Sequence, residues 1–483
     1  MRDAPGASPL RSLLGNSLVY SAGSVAQRFL SVLLLPLYTR FLLPEDYGVA
    51  GLLTVGGGLL GTLTTFGLTN GISRYFYYPH QENATVEEVV WSPVAFILAA
   101  SVLVLVPLTL FSGRISLALF GTGRHAYIVV LTLAGVFLAN LASVGRAVLI
   151  FRERSVAVNG INLAEIAVNA LSGIYLVVVR RRGIDGLIEA GLLASALTAA
   201  ISTAAGVLCY RPRFSHAILA KQLRFSLPLV LAVFAFWVID SSDRYLLKMF
   251  LPLSEVGLYN VGYSVGLAVT VLVQGFTLAW PPFYHRNNQA GEGQAVCDGV
   301  LRLVLAAGAV LVAFLSLSAP FLLRILTTEA YLGAYTVVPW IALAYLLKVP
   351  YLVFLMGIIM KDKTWWQLAL EIAAAVANIA VNIVLIPLLG REAAALTTLL
   401  SYGLMSGGAY ILVTRINPIP NLSGRFLLMV LGLAFLAVFA AAGAGRLPGG
   451  VVGAALLGSP ALALLSLLFF RELRVHLARE RGA

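Results

Sequence analysis

The chain has 483 residues, of which 60% are hydrophobic and 11% are charged. Soluble domains carry about 25% charged residues, so this composition excludes an ordinary soluble protein and indicates an all-α polytopic membrane protein. The formal net charge of +12 does not indicate a nucleic-acid binder, because the basic residues lie mainly in short segments between apolar stretches, as the positive-inside rule expects.

The apolar stretches predict transmembrane helices along the whole chain. At about 20 residues per span, they give about 14 helices, over residues 14–38, 48–70, 90–112, 126–149, 156–179, 185–209, 223–249, 256–280, 300–323, 334–359, 366–388, 393–414, 424–444 and 449–470. The loops predicted on one side of the membrane, together with the N-terminal arm and the tail, hold roughly 20 Lys and Arg residues, and those on the other side hold roughly 11. Because cytoplasmic loops are richer in Lys and Arg, both termini are expected in the cytoplasm. The run Arg180-Arg181-Arg182 then lies on the outer side, against this rule. Either it contacts an anionic surface or one span before it is miscounted. The longest predicted loops, 71–89 and 281–298, leave no room for a soluble catalytic domain, and no enzymatic activity is expected.

The first predicted span carries a polar face around one arginine. Its polar residues recur at steps of three and four, which places them on one side of a helix: Ser17, Ser21, Ser24, Arg28 and Ser31. A cation near the middle of a span costs about 2.5 to 17 kcal/mol if it faces lipid. Arg28 is therefore expected to face the protein interior or a wet cavity and to bind an anion, with a structural pair to a neighbouring acid as the alternative.

The second span follows the turn signal Pro44-Glu45-Asp46-Tyr47-Gly48. It places small and polar residues on a single face: Thr54, Gly58, Thr62, Thr65 and Thr69. Gly57 and Gly61 form a GxxxG motif, which is typical of close helix packing. The overlapping GxGxxG spelling follows no strand, so it does not predict dinucleotide binding.

Motifs for cofactors and metals are not found in this sequence. No Walker A motif occurs, and the five histidines show no metal-ligand spacing. We therefore expect neither a cofactor nor a metal site.

The sequence contains an internal repeat. Residues 40–48 are echoed by residues 249–257, and residues 164–167 are echoed by residues 370–373 at nearly the same offset. An even number of spans in each half relates the halves by an axis along the membrane normal, with a site expected at their interface near the midplane. The predicted domains are a six-helix bundle at 1–222, a second six-helix bundle at 223–421, and two additional helices with a basic cytoplasmic tail at 422–483. The two additional helices are expected to face lipid or to line a lipid tail.

Ionisable residues in later spans are candidate functional residues, because charges within the membrane are rare and costly. Lys348 lies midway along the tenth span and is expected either to face a cavity or to snorkel. Asp240, Asp243 and Arg244 lie in the seventh span. Asp240 and Arg244 are four residues apart, so they either pair with each other or contact substrate.

Two predicted buried carboxylates and one aromatic face add further candidates. Glu165 shares a stripe with Asn162, Asn169 and Ser172, whereas Glu371 shares one with Gln367, Asn378 and Asn382. Buried carboxylates can carry a coupling proton, and interhelical hydrogen bonding is the alternative. The eighth span presents a face that suits either sugar hydroxyls and rings or the packing of polar helices: Tyr259, Tyr263, Thr270, Gln274 and Thr277.

Several of these segments together resemble the polysaccharide transporter family. They are the hairpin with Arg28 and residues 44–48, the span end Gly67-Leu68-Thr69-Asn70-Gly71-Ile72-Ser73-Arg74-Tyr75, and residues 243–247 followed by 255–259. The family comprises the O-antigen and exopolysaccharide flippases of the MATE-like MOP exporter superfamily, and the resemblance covers about residues 13–421. It implies two six-helix bundles forming a V-shaped cavity, plus two extra helices. The implied function is translocation of undecaprenyl-pyrophosphate-linked oligosaccharide across the bacterial inner membrane by alternating access.

The resemblance also implies roles for the candidate residues. Arg28 and Lys348 are expected to bind the pyrophosphate head group, while Arg74 either captures it at the cytoplasmic mouth or serves as a positive-inside anchor. Arg244 and Gln274 complete the substrate-binding candidates. The ion-coupling candidates are Asp240, Asp243, Glu165 and Glu371. The expected partners are the lipid-linked oligosaccharide, membrane lipids, a glycan polymerase and a chain-length regulator, with no nucleic acid.

Two other transport functions stay open. Lipid II flippases are similar but typically gather several arginines on their first, second and eighth spans, whereas these spans hold only Arg28 and Arg74 here. Cation-coupled multidrug exporters of the same superfamily typically have about twelve helices and an acidic cation site. Both are alternatives to a polysaccharide flippase.

Overall fold

The computed structural model describes residues 33–77, 79, 84–289, 293–361, 363–416, 424–443 and 450–482. Its α-helices, in chain order, are α1 (Pro44–Thr65), α2 (Leu68–Phe76), α3 (Val86–Leu110), α4 (Ser112–Phe120), α5 (Ala126–Phe151), α6 (Ser155–Gly173), α7 (Gly183–Ser202), α8 (His216–Phe250), α9 (Leu253–Gly266), α10 (Thr270–Gln289), α11 (Gly293–Leu326), α12 (Val338–Ile359), α13 (Thr364–Leu389), α14 (Arg391–Ile416), α15 (Gly424–Ala442) and α16 (Gly450–Gly482). Wider π-helical turns extend α6 to Val179 and α7 to Val207.

The all-α membrane architecture predicted from the sequence is confirmed. Among the described residues, 12 helices are long and apolar enough to cross a membrane, and Leu428–Ala442 is a shorter apolar helix. Every predicted span from the second onward has a counterpart whose ends differ by a few residues. The first predicted span lies almost entirely outside the described residues, and Arg28 lies there with it.

The second predicted span is broken rather than continuous. Phe66 and Gly67 separate α1 from α2 and have φ values of 47° and 61°. A Cβ atom on Gly67 would lie 2.9 Å from Val230 Cγ2, so both the left-handed backbone and the close contact favour glycine. On the predicted polar face, the hydroxyls of Thr62 and Thr65 donate to carbonyls one turn earlier in α1, which satisfies them within their own helix.

The prediction of two long loops, at 71–89 and 281–298, is wrong. α2 extends into the first of these segments because Leu68 and Ile72, four residues apart, bury one of its faces in a hydrophobic cluster with Val144. In the second segment, α10 continues to Gln289 and α11 begins at Gly293.

The chain divides into two compact units, Met1–Trp237 and Val238–Ala483, and the division falls within α8. In the first unit, α5 is the central helix and packs against α1, α3 and α7. The α5–α7 contact is backbone to backbone, since a Cβ atom on Gly145 would lie 2.2 Å from the carbonyl oxygen of Ser202. The predicted domain boundary after residue 222 lies near the start of α8.

In the second unit, the central helix is α12, and 78% of the residues in its apolar stretch are buried. It packs against α9, α10, α11 and α14, and the two C-terminal helices α15 and α16 pack mainly against α11. The second unit therefore surrounds α12 with helices on most sides. Any polar side chain of α12 must find its partners within this helical packing.

Candidate functional site

The C-terminal part of α8, within the seventh predicted span, carries a buried ion pair. Arg244 Nη1 lies 2.9 Å from Asp243 Oδ1, and the Asp243 side chain is 0% exposed. The predicted Asp240–Arg244 side-chain pair is wrong, because Arg244 donates instead to the backbone carbonyl of Asp240, at 2.6 Å. The Asp240 carboxylate accepts a 2.5 Å hydrogen bond from the hydroxyl of Tyr402 on α14.

Side chains of α9 surround the Arg244 guanidinium. Its Cζ atom lies 4.1 Å from the ring centroid of Tyr263 and 5.4 Å from that of Tyr259. Its Nε atom donates to Asn260 Oδ1 at 2.9 Å, and the Tyr259 hydroxyl donates to Asp243. Each of these contacts stabilises a charge that would otherwise be costly to bury. Arg244 therefore has charged, polar and aromatic partners within its own unit.

Lys348 lies at the edge of this network. Its ammonium nitrogen is 5.8 Å from the ring centroid of Tyr345 and 5.4 Å from that of Tyr402. Tyr345 and Tyr263 share a hydroxyl–hydroxyl hydrogen bond of 2.7 Å, which connects the surroundings of Lys348 to those of Arg244. Lys348 and Asp240 are half-buried, whereas Asp243 is fully buried. Lys348 and Asp240 are therefore the more exposed charged residues of this network.

Glu371 lies on α13 against α12. Its Oε1 atom accepts hydrogen bonds from the Tyr351 hydroxyl at 2.8 Å and from Gln367 Nε2 at 2.9 Å. The side chain is 0% exposed, and Oε2 has no hydrogen-bond partner among the described residues. This geometry places one unsatisfied carboxyl oxygen inside the second unit.

Further along α13, asparagine and hydroxyl side chains form a continuous chain. Asn382 Nδ2 donates to Asn378 Oδ1 at 3.0 Å, and Asn378 Nδ2 donates to the Ser401 hydroxyl at 3.1 Å. The Thr397 hydroxyl donates to Asn382 Oδ1 at 2.7 Å. The polar stripe predicted for this helix is therefore buried against α14 and paired, as interhelical hydrogen bonding requires.

In the first unit, Glu165 pairs with an arginine. Its Oε2 atom lies 2.9 Å from Arg146 Nη1, which also donates to Asn162 Oδ1 at 3.4 Å. Both ionised side chains are about one-third exposed, at 28% for Arg146 and 32% for Glu165. The expectation that Glu165 is a buried carboxylate is wrong, because α5 supplies a cation beside it at a partly exposed position.

The remaining substrate-binding candidates are Arg74, Gln274 and Arg28. Arg74 is exposed on α2, with its guanidinium 4.7 Å from the ring centroid of Phe225. Gln274 lies on α10, and its Oε1 atom is buried with no partner among the described residues. Arg28 lies outside the described residues. The structure therefore brings together Asp240, Asp243, Arg244 and Lys348. Glu371 lies on α13 and contacts α12, the helix that carries Lys348.

Several polar residues of the site were missed as candidates. Tyr345 could have been found, because it precedes Lys348 by three residues and so shares its helix face. Asn260, Tyr402 and Arg146 carry no comparable local signal, since each contacts a residue of another helix. Among the described residues, no group of three or more His, Cys, Asp or Glu is arranged to hold a metal ion.

The sequence matches one known protein family over more than half of its length. A family model described as polysaccharide biosynthesis protein matches residues 13–287. No curated protein matches the sequence.

Solved structures give similar folds at low sequence identity. An inward-facing multidrug resistance MATE family transporter of the MOP superfamily has a TM-score of 0.67 at 14% identity, over 82% of this chain and 96% of that one. The lipid II flippase MurJ in an inward closed conformation has a TM-score of 0.65 at 14% identity, over 94% and 99%. A MOP superfamily transporter from Pyrococcus furiosus has a TM-score of 0.55 at 13% identity, over 86% and 99%. The fold of this chain is thus that of MOP superfamily transporters.

Proposed function

The chain belongs to the polysaccharide biosynthesis protein family, and from this premise we propose that it is a flippase for undecaprenyl-pyrophosphate-linked oligosaccharide. The cargo is a repeat unit of O-antigen, exopolysaccharide or capsule. It crosses the bacterial inner membrane by alternating access, in a protein whose termini both lie in the cytoplasm. The MOP transporter fold supports a transport function of this kind.

The observation that carries the proposal is the position of Lys348. Its ammonium lies inside a membrane-spanning helix, half-buried, over the rings of Tyr345 and Tyr402. Cations within membrane-spanning helices are rare and mark substrate or ion pathways, and an anionic head group is a suitable ligand for one. A pyrophosphate offers several charged oxygens to an ammonium group and to neighbouring tyrosine hydroxyls.

The remaining substrate-binding candidates bind or position the substrate. Arg28 binds the head group together with Lys348, and Arg74 captures it at the cytoplasmic mouth. Arg244 acts as a positioning residue, because its guanidinium is already held by Asp243 and Asn260. The unpartnered Oε1 atom of Gln274 accepts a hydrogen bond from a glycan hydroxyl.

Transport is coupled to an ion through the acidic candidates Asp240, Asp243, Glu165 and Glu371. Of these, Asp243 and Glu165 are held in ion pairs with arginines. Membrane lipids surround the protein, and a glycan polymerase and a chain-length regulator act on the translocated product. If net charge moves with the cargo, the membrane potential contributes about 2.3 kcal/mol per charge per 100 mV.

Complementation tests the proposal directly. The full-length protein is expressed in bacterial strains that each lack one flippase, and surface glycan is measured by immunoblotting. We expect restored glycan export in at least one strain that lacks an O-antigen, exopolysaccharide or capsule flippase. Restored growth of a strain depleted of its lipid II flippase, or restored drug resistance without glycan export, would replace the proposal with one of the two alternatives.

A further inference from the structure

The ion pair between Arg146 and Glu165 lies within two membrane spans of the first unit and is partly exposed. Arg146 belongs to the span Gly123–Phe151 and Glu165 to the span Ser155–Val179. Glu165 lies ten residues after the start of α6, about 15 Å along the helix. The two side chains are nevertheless 28% and 32% exposed. Charged side chains at this depth face the protein interior or a water-filled cavity rather than lipid.

α6 exposes an apolar face and a polar face on opposite sides. The apolar face carries Val156, Leu163 and Leu171, which are 81%, 52% and 68% exposed, and such a face suits contact with lipid. Glu165 follows Leu163 by two residues, which turns it by about 200° around the helix axis. Asn162, three residues before Glu165, lies on the same side and is half-buried. The exposed part of the Glu165 carboxylate therefore faces away from the apolar face of α6.

α5 leaves open space along the face that carries Arg146. Gly135, Ala139 and Ser143 precede Arg146 at steps of four, four and three residues, which places them on the same side of the helix. Ala139 is exposed, and a Cβ atom on Gly135 would meet no neighbouring atom within 4 Å. The small side chains on this face leave room for a ligand that contacts the guanidinium.

The described contacts of Arg146 use one of its nitrogens. Nη1 lies 2.9 Å from Glu165 Oε2 and donates to Asn162 Oδ1 at 3.4 Å. A guanidinium carries several N–H donors and binds phosphate oxygens through two nitrogens at once. A partly exposed ion pair contributes little stability, so its carboxylate is readily displaced. A phosphate group therefore replaces Glu165 at Arg146 with a gain in charge-assisted hydrogen bonds.

We propose that Arg146 is a phosphate-binding residue of the first unit, and that Glu165 occupies the place of the phosphate when no ligand is bound. Binding of a phosphate or pyrophosphate ester breaks the Arg146–Glu165 pair, and its release restores the pair. The carboxylate keeps the guanidinium oriented and compensated in the empty protein, because an unpaired cation within a span is costly. This inference rests on the proposed function in one respect, because it takes the pyrophosphate of the cargo as the ligand.

Two substitutions with opposite expected effects test the displacement. The purified full-length protein is placed in nanodiscs of zwitterionic lipid and titrated with inorganic pyrophosphate in a calorimeter. We expect Arg146→Gln to lower the affinity by at least about tenfold, because hydrogen bonds between charged groups are lost. We expect Glu165→Gln to raise the affinity by about twofold to fivefold, because the competing charge is removed from a weak, partly exposed pair.

The Arg302–Asp298 pair supplies the matched controls. Arg302 is also 28% exposed, and its Nη2 atom lies 2.8 Å from Asp298 Oδ2. Arg302→Gln and Asp298→Asn should leave the affinity for pyrophosphate unchanged. Unchanged or weaker binding by Glu165→Gln overturns the displacement, whereas unchanged binding by Arg146→Gln, or no binding by the wild type, overturns the site.

A conservative variant covers the case in which Arg146→Gln does not fold. Arg146→Lys keeps the charge and removes the contact through two nitrogens, so its affinity for pyrophosphate must fall below that of the wild type. Equal affinity of Arg146→Lys and the wild type also overturns the site.

Anionic lipid distinguishes the two sources of a phosphate group. The titrations are repeated in nanodiscs that contain phosphatidylglycerol, and the difference in affinity between the wild type and Arg146→Gln should persist. A difference that disappears there assigns Arg146 to a lipid head group and overturns its assignment to the cargo. Failure of complementation, with pyrophosphate still bound at Arg146, would contradict the proposed flippase function and leave the phosphate site supported.

Discussion

The Lys348 ammonium lies 5.4 Å from the ring centroid of Tyr402, whose hydroxyl donates a hydrogen bond to the Asp240 carboxylate. One aromatic ring therefore contacts a cation through its face and an anion through its hydroxyl. Donation to a carboxylate makes the ring more electron-rich, which strengthens its attraction for the ammonium. The two half-buried charges stabilise each other through a shared ring.

Replacing Lys348 with methionine removes the charge and keeps most of the side-chain volume. We expect this variant to lose at least about tenfold in pyrophosphate affinity, since a hydrogen bond to a charged group contributes about 1.5–3 kcal/mol. Glycan export in the complementing strain should fall accordingly, with protein abundance unchanged by immunoblot. Lys248→Met is the matched control, because Lys248 lies in the last turn of α8. Normal export with Lys348→Met would remove Lys348 from the substrate site.

Arg28 provides a second test of the head-group site. The role of Arg28 in binding the head group is predicted from the sequence alone, because a guanidinium near the middle of an apolar span must have an anionic partner. We expect Arg28→Ala to abolish glycan export while protein abundance stays the same. Arg40→Ala, at an exposed position, should export normally. Normal export in Arg28→Ala would contradict the cavity assignment.

The spans were predictable because apolar length is a local property of the sequence. Interruptions within spans were not: α1 ends at the left-handed backbone of Phe66 and Gly67, where the space left for a side chain on Gly67 is limited by Val230 of α8. The helical character of residues 68–76 likewise depends on burial of Leu68 and Ile72 against other helices. The helix ends within these spans therefore depend on tertiary contacts, which sequence composition does not reveal.

The charged residues of the site were predictable, but their pairing was not. Charge within an apolar span identifies Asp240, Asp243, Arg244 and Lys348 from sequence. Spacing favoured an Asp240–Arg244 pair, yet Arg244 pairs with its neighbour Asp243 while Tyr402 takes the Asp240 carboxylate. A contact 162 residues apart in the chain leaves no periodic signal.

The buried Asp243–Arg244 pair predicts a large loss of stability when one partner is removed. Arg244→Met leaves the Asp243 carboxylate buried without its cation, which costs about 3–5 kcal/mol. We expect a lower thermal unfolding temperature of the purified protein. Arg182→Met is the control, because Arg182 is 47% exposed in its pair with Glu189 and such pairs contribute about 0–1 kcal/mol.

A double variant separates this charge effect from lost packing. Asp243→Leu combined with Arg244→Met removes both charges, so it should recover part of the stability lost in Arg244→Met alone. A double variant no more stable than the single one would show that packing around the guanidinium, rather than the unpaired carboxylate, accounts for the loss.

Gly145 should tolerate no side chain, because α5 meets α7 there through backbone atoms. A Cβ atom at this position would lie 2.2 Å from the carbonyl oxygen of Ser202 and 2.4 Å from its carbonyl carbon. Backbone cannot rotate away as a side chain can, so the helices must separate, at a cost of about 1–3 kcal/mol or more. We expect Gly145→Ala to lower the thermal unfolding temperature and the amount of protein in the membrane.

Gly135→Ala is the matched control. Gly135 lies in the same helix with no atom within 4 Å of its Cβ position, so the substitution should be neutral or slightly stabilising through higher helix propensity. Equal stability of the two variants would contradict the close α5–α7 contact.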